Sequence, residues 1–93
     1  MGNKIEFPFY VMPINFLKGK GLSNSDKLIY SILLTYQLEN GHCQLSLRDL
    51  GKETDASRPT VIKSIRKLEA AKLLTVNRLG PCNNYIVKEP DDE

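Results

Sequence analysis

Residues 57–72 have the sequence SRPTVIKSIRKLEAAK, and the interpretation of the whole chain depends on this stretch. At about 100° per residue its apolar side chains fall on one side of a helical wheel, as in a helix packed on a core. That apolar side consists of Val61, Ile62, Ile65 and Leu68. The opposite side consists of Pro59, Thr60, Lys63, Lys67 and Ala70, with Arg66 at its margin. The stretch therefore predicts an amphipathic helix.

The start of this helix is marked by Ser57, a residue type that caps helix N-termini well. Pro59 is acceptable in the first turn, because the N–H groups there have no partner within the helix. Arg58 precedes the proline, which disfavours helical backbone angles and could delay the start of the helix by one residue.

The exposed side of the predicted helix is positive. Between Arg58 and Lys72 there are five basic residues, and the single acid among them is Glu69. A short, polar and positive face is typical of a helix that enters the major groove of DNA. The alternative is an ordinary surface helix whose lysines are only solvated, because basic amphipathic helices are common.

Length and composition indicate one soluble domain. A chain of 93 residues can build a single modest core, and its 41% apolar and 26% charged residues are ordinary for globular proteins. No apolar run approaches the ~18 residues of a membrane helix, and Pro8 and Pro13 interrupt the stretch where a signal peptide would lie. Two cysteines are too few for a disulfide framework. We therefore expect a cytoplasmic protein that makes no membrane contact.

Charge is distributed unevenly along the chain. Residues 57–88 hold seven bases and one acid, a net charge of +6, whereas residues 23–56 have a net charge of −2. Such a concentration of positive charge suggests a polyanion as partner. The last five residues, 89–93, carry four acids and no base, and we expect them to form a disordered acidic tail.

The N-terminal part of the chain predicts an arm followed by a capped helix. Residues 1–22 are apolar but contain prolines, which favours an extended arm with one turn at residues 13–17. The aromatic side chains of this arm need burial, either on the body of the domain or against a second copy of the chain; they are Phe7, Phe9, Tyr10 and Phe16. Ser23 and Asp26 form a capping-box pattern for a helix over residues 24–39, which Asn40 and Gly41 end.

The remaining elements follow in a recognisable order. A short extended piece at residues 42–45 leads to a second helix over residues 47–53, capped by Ser46 with Asp49, and a turn at residues 54–56 leads into the helix described first. Two helices joined by a short turn form a helix-turn-helix pattern. Residues 73–78 and 85–88 predict two strands of a hairpin, joined by a loop of about six residues at 79–84.

This order of elements resembles the winged helix-turn-helix DNA-binding domains of bacterial, phage and plasmid regulators. The resemblance covers residues 9–88 and is carried by residues 22–30, 46–50, 57–61 and 68–74. Residues 11–17 are also similar to the start of a subgroup found in phage and plasmid replication proteins. Asp55 and Lys72 stand where many members of the family have glycine. The implied fold is mainly α with a small antiparallel β-hairpin (α+β), in which residues 23–88 form a three-helix winged domain.

The resemblance also implies which residues contact DNA. The helix of residues 57–72 would enter the major groove with Pro59, Thr60, Lys63 and Lys67 towards bases and phosphates, and Lys63 is the candidate for a base edge. Phosphates would be held by Ser57, Arg58 and Arg48, and the wing would contribute Asn77, Arg78 and Asn83. Arg66 completes the set of candidate contacts. The implied role is a transcription regulator or a replication-initiation protein.

Other functions receive less support from the sequence. The winged helix could instead be a protein-docking module without affinity for DNA, although a basic face without an exposed apolar centre argues against it. His42, Cys43 and Cys82 lack the paired spacing of a zinc site, and no phosphate loop or activated nucleophile is recognisable. We therefore predict neither an enzyme nor a cofactor. Whether the chain forms a homodimer, through the N-terminal arm or the first long helix, is left open.

Overall fold

The structure is a computed structural model that describes residues 9–80 and 82–90. Within these ranges the elements are α1 (Ile14–Leu17), α2 (Asn24–Asn40), β1 (Cys43–Leu45), α3 (Leu47–Thr54), α4 (Arg58–Ala70), β2 (Leu74–Leu79) and β3 (Cys82–Val87). The three strands form one antiparallel sheet in the order β1-β3-β2. The expected α+β fold, with helices α2, α3 and α4 in a winged helix-turn-helix arrangement, is confirmed.

Two of the helices begin at the predicted capping boxes. At the start of α2 the hydroxyl of Ser23 accepts a hydrogen bond from the Asp26 amide (3.2 Å), and the Asp26 carboxylate accepts one from the Ser23 amide (2.9 Å). Ser46 and Asp49 repeat this arrangement at the start of α3. These reciprocal bonds satisfy amide donors that a helix terminus leaves without partners. Both capping-box predictions are confirmed.

The start of α4 differs from the prediction in one respect. Ser57 occupies the N-cap position, but its side chain makes no capping hydrogen bond to the backbone. The hydroxyl group lies instead 2.9 Å from the Thr60 hydroxyl, so that each of these side chains has the other as partner. The helix begins at Arg58 in spite of the following proline.

Both positions at which many members of the resembling family have glycine adopt left-handed backbone conformations. Asp55 ends α3 with φ 56°, and Lys72 follows α4 with φ 62°. Asp is tolerated there better than most residues, whereas Lys has no such advantage. Both turns therefore have the backbone conformation that glycine adopts most readily, although neither residue is glycine.

Lys72 offers a test of this backbone strain. We expect Lys72→Gly to be about 1 kcal/mol more stable than Lys72→Ala, because both variants remove the lysine but only glycine adopts positive φ without steric cost. Chemical denaturation of the two variants measures the difference. Equal free energies of unfolding would show that residue 72 is not held in the left-handed conformation.

The hairpin between β2 and β3 is tighter than the sequence predicts. Strand β2 continues to Leu79 and β3 begins at Cys82, so the predicted loop over residues 79–84 is wrong. Asn83 and Asn84 are paired in the sheet, with β2 on one side and β1 on the other. A central strand receives hydrogen bonds from both neighbours, which outweighs the low strand propensity of asparagine. The wing is thus a short ribbon, and Gly80 (φ 89°) turns it.

One core joins all of these elements. Helices α2, α3 and α4 contribute buried side chains to a single cluster: Leu33, Leu50, Val61, Ile65 and Leu68. The arm contributes to the same cluster, since Leu17 is buried and Tyr10 and Phe16 pack against it. Tyr10 also donates a hydrogen bond to Glu53, and the amide of Val11 donates one to the Thr35 hydroxyl (2.8 Å). Phe9 is nevertheless exposed, and Phe7 lies outside the described residues.

The end of β3 is fastened to α2 by side chains. The amide of Gln37 pairs with the Val87 backbone in both directions, accepting from its N–H (2.8 Å) and donating to its carbonyl (3.0 Å). The Gln37 amide also donates to the Glu89 carboxylate, and the hydroxyl of Tyr30 donates to the Lys88 carbonyl. Of the predicted acidic tail, Glu89 is thus held by α2, and residues 91–93 lie outside the described part of the chain.

Candidate nucleic-acid interface

The orientation of α4 differs from the one that its sequence predicts. Its buried residues are Val61, Ser64, Ile65 and Leu68, whereas Ile62 is half-buried at the edge of the exposed side. The buried side of the helix thus includes Ser64 in place of Ile62. On a helical wheel, this moves the middle of the buried side by roughly 40°. The exposed face is turned with it, so that Arg66 lies near its middle and Lys67 and Thr60 lie nearer its edge.

Asp26 is the reason that a serine is buried at position 64. The carboxylate of Asp26 is 2% exposed and receives hydrogen bonds from Ser64, from the Ser23 amide and from Lys67. Burial alone would raise the pKa of this carboxyl group, but the hydrogen bonds to Ser64, Ser23 and Lys67 outweigh it, and the pKa is lowered. The pair formed by Ser64 and Asp26 thus links α4 to the beginning of α2.

Lys67 is held by the same carboxylate. Its ammonium group lies 3.3 Å from Asp26 Oδ2, and its side chain is 43% exposed. The charge of Lys67 is therefore balanced by an acid on the protein, and the side chain lies at the flank of the exposed face. Lys67 differs in this from Arg58, Lys63 and Arg66, for which no ion-pair partner is found among the described residues.

The exposed face of α4 forms a shallow groove of about 560 Å³. Its lining combines basic residues with apolar ones: Arg58, Pro59, Ile62, Lys63, Arg66, Lys67 and Ala70. Five of the candidate DNA-contacting residues thus share one surface. The expectation that this face has no apolar centre is wrong, since Pro59, Ile62 and Ala70 belong to its lining.

A second concave surface, of about 650 Å³, lies where α3 turns into α4. It brings together the predicted phosphate contacts Arg48, Ser57 and Arg58 and adds Lys52, which is not among the residues predicted from the sequence. Lys52 follows Arg48 by four residues, and side chains at that spacing are neighbours on one helix face. That spacing was the signal that could have identified Lys52.

Gly51 allows the turn between α3 and α4 to be close. The amide of Ala56 donates to the Gly51 carbonyl (3.1 Å), and a Cβ atom at position 51 would lie 3.1 Å from the Ala56 carbonyl oxygen. The turn therefore packs directly on the backbone of α3. This contact places Ser57 and Arg58 beside Arg48.

Two of the three candidate residues of the wing, Arg78 and Asn83, interact with other side chains of the protein. Arg78 on β2 forms an ion pair with Glu69 on α4, at 3.2 Å between Nη2 and Oε1. Asn83 on β3 donates a hydrogen bond to the hydroxyl of the buried Tyr85 (3.0 Å), while Asn77 is exposed. The hairpin therefore lies beside the C-terminal half of α4, and the wing and the helix form adjoining surfaces.

The features that could indicate other kinds of site do not come together. Cys43 is buried in β1, and burial raises the pKa of its thiol to about 12, whereas Cys82 begins β3. In the part of the chain that the structure describes, no cluster of three or more His, Cys, Asp or Glu residues could hold a metal ion. None of the described helices is long and apolar enough to cross a membrane.

Comparison with known proteins gives one match. Residues 20–74 match a family described as a helix-turn-helix domain, a region that includes α2, β1, α3 and α4 and ends at the first residue of β2. No curated protein and no solved structure matches the chain.

Proposed function

The chain belongs to the helix-turn-helix domain family, and from this premise we propose that it binds double-stranded DNA sequence-specifically, with α4 in the major groove. The observation that carries the proposal is the exposed face of α4, where Arg58, Lys63 and Arg66 surround one groove and have no acidic partner among the described residues. A helix about 10–12 Å across fits a major groove about 12 Å wide. The protein acts by binding, without a catalytic step or a cofactor.

The contacts divide into two kinds. Lys63 lies on the side of α4 opposite the core, where it can donate to the guanine O6 and N7 acceptors. Arg48, Lys52, Ser57 and Arg58 surround the cleft at the turn between α3 and α4, and they hold phosphates there. Arg66, Thr60 and Lys67 add contacts along the helix, and Asn77, Arg78 and Asn83 bring the wing onto the adjacent backbone or minor groove.

A salt titration of binding to duplex DNA tests this proposal. With roughly six phosphate contacts, the logarithm of the binding constant should fall against the logarithm of salt concentration with a slope near −5. Arg48→Ala should make the slope less steep by about one, and Lys18→Ala, which removes an exposed lysine from the arm, should leave it unchanged. Failure to bind random or genomic duplexes at ~50 mM salt would overturn the proposal.

Lys63 and Arg78 should differ when each is replaced by alanine. Lys63→Ala is expected to cost roughly 1–3 kcal/mol on the preferred sequence and to relax discrimination at one base pair. Arg78→Ala should weaken binding to all DNA sequences about equally, because a wing arginine contacts phosphates. The loss of affinity should be smaller than for an arginine without an ion pair, because Arg78 is already paired with Glu69. Binding measured on duplexes with single base changes separates the two. If Lys63→Ala lost the same affinity for every DNA sequence, Lys63 would contact a phosphate and not a base.

A protein-docking module is the second candidate function, and the apolar lining of the α4 groove favours it. Pro59 and Ile62 could accept an apolar side chain of a partner protein. The basic residues around them do not suit such a partner, unless it is acidic. The same salt titration decides between these functions, because the docking module would have no affinity for DNA.

We place the biological role in transcription regulation or replication initiation in the cytoplasm, on the resemblance of residues 9–88 to bacterial, phage and plasmid regulators and of residues 11–17 to phage and plasmid replication proteins. The arm also exposes several apolar side chains that a second copy could cover: Phe9, Val11, Met12 and Ile14. Selection of bound duplexes from a random pool tests this arrangement. A dimer should select two half-sites with centres about 34 Å or a multiple of it apart, and a monomer a single site.

A further inference from the structure

An apolar patch lies within the basic face of α4. Pro59 and Ile62 are one helical turn apart in the N-terminal half of the helix, and both line the groove. Arg58, Lys63 and Arg66 surround them with positive charge. Ile62 does not belong to the buried core of α4, which Val61, Ser64, Ile65 and Leu68 form. A large apolar side chain thus lies half-buried in the groove, at the edge of a surface that is otherwise suited to a polyanion.

A group that contacts this patch has to be apolar, and because basic residues surround the patch, it has to belong to a polyanion. In the major groove of DNA, thymine alone presents such a group, its C5-methyl, among the hydrogen-bonding edges of the bases. The N-terminal residues of a helix in the major groove are those that reach base edges in helix-turn-helix complexes. Pro59 and Ile62 occupy this part of α4.

We propose that Ile62, together with Pro59, contacts the C5-methyl group of thymine and makes the protein select a thymine at one or two positions of its site. This inference rests on the proposed DNA binding and adds to it a determinant of sequence. Lys63, next to Ile62 in the chain, would contact an adjacent base, so that one turn of α4 combines hydrogen-bonding and apolar recognition.

The experiment removes the methyl group from the DNA. Duplexes that bind the full chain are selected from a random pool, and each thymine of the strongest duplex is replaced, one at a time, by deoxyuridine, which differs only in the C5-methyl. At one or two positions the affinity should fall about three- to fivefold, as expected for uncovering one methyl group. The other positions should be unaffected.

The effect should depend on Ile62. In Ile62→Ala the affinity for the thymine duplex should fall by a similar factor, and replacement by deoxyuridine at the same positions should have no further effect. Ile86→Ala is the matched control, because Ile86 is an exposed isoleucine on β3 outside the groove; this variant should retain the full effect of deoxyuridine.

Each outcome has a distinct meaning. If the protein binds the selected duplexes and no thymine can be detected as preferred, or deoxyuridine weakens binding nowhere, this inference is wrong while the proposed DNA binding stands. The same deoxyuridine effect in Ile62→Ala as in the unchanged chain would also overturn it. If no duplex binds, the proposed function fails first, and an acidic protein partner becomes the occupant of the groove. The scan on the unchanged chain does not depend on the folding of any variant.

Discussion

Asp26→Ala is expected to lower the free energy of unfolding by about 2–4 kcal/mol. The carboxylate is buried and has three kinds of partner: the Ser23 amide in the capping box of α2, the hydroxyl of Ser64 and the ammonium group of Lys67. Its removal leaves the buried Ser64 hydroxyl and the Ser23 amide without this acceptor. A loss of this size is a large part of the 5–15 kcal/mol that stabilises a typical domain.

The same carboxylate predicts how stability depends on pH. Because the folded protein holds the pKa of Asp26 below its ordinary value, the unfolded chain takes up the proton first as pH falls. The stabilisation is present above about pH 4, the ordinary pKa of an aspartic acid, and is lost as pH falls through the folded-state pKa. Asp26→Ala should therefore show a flatter dependence of unfolding free energy on pH below about pH 5 than the unchanged chain.

Two further variants identify the source of the effect. Asp49→Ala removes the capping box of α3, where the carboxylate is half-buried and has no ion pair among the described residues, and should cost only about 1 kcal/mol. Lys67→Ala should cost less than Asp26→Ala, since Ser23 and Ser64 still donate to the carboxylate. Equal losses for Asp26→Ala and Asp49→Ala in urea titrations would mean that Asp26 acts only as a helix cap.

Features set by neighbouring residues could be predicted from the sequence. Both capping boxes depend on a serine and an aspartate three residues apart, and both form as expected. The left-handed turn residues Asp55 and Lys72 could be located from the glycines of the resembling family. Such features need no knowledge of the tertiary structure, because the interacting atoms are brought together by the helix or turn itself.

Features that depend on distant partners could not be predicted in this way. The helical spacing from Val61 and Leu68 places position 64 on the buried side of α4, but the serine there gives no sign of burial, because its partner Asp26 lies in another helix. The asparagines of β3 indicate a loop by composition, yet β1 and β2 pair with them on both sides. In the same way, Glu69 and Asp26 balance Arg78 and Lys67, two of the bases that the charge count assigned to DNA.

These ion pairs change the expected balance of contacts in the candidate site. No ion-pair partner is found among the described residues for Arg58, Lys63 and Arg66. Lys67 and Arg78, by contrast, are paired with Asp26 and Glu69, and each would have to share its positive charge between that acid and a phosphate, or leave the acid. Exchange of one partner for another recovers only part of the energy of a new contact. We therefore expect Arg58, Lys63 and Arg66 of α4, together with the cleft beside α3, to supply most of the electrostatic affinity.

Ile65→Ala should lower the free energy of unfolding by roughly 2–4 kcal/mol, whereas Ile62→Ala should cost about 1 kcal/mol or less. Ile65 is 3% exposed within the core cluster, so its truncation leaves a cavity. Ile62 is half-buried at the edge of the groove, and its truncation leaves no enclosed space. The higher helix propensity of alanine offsets part of the loss at both positions.

The pair is a matched comparison, because it makes the same substitution in the same helix three residues apart. Urea denaturation of both variants gives the two free energies, and circular dichroism shows whether Ile62→Ala keeps its helices. Similar losses at the two positions would mean that Ile62 belongs to the core, as the sequence pattern alone predicts, and that α4 presents a different face to its partner. A large loss at Ile65 alone would support the rotated orientation, which places Ile62 at the edge of the exposed face and Arg66 near its middle.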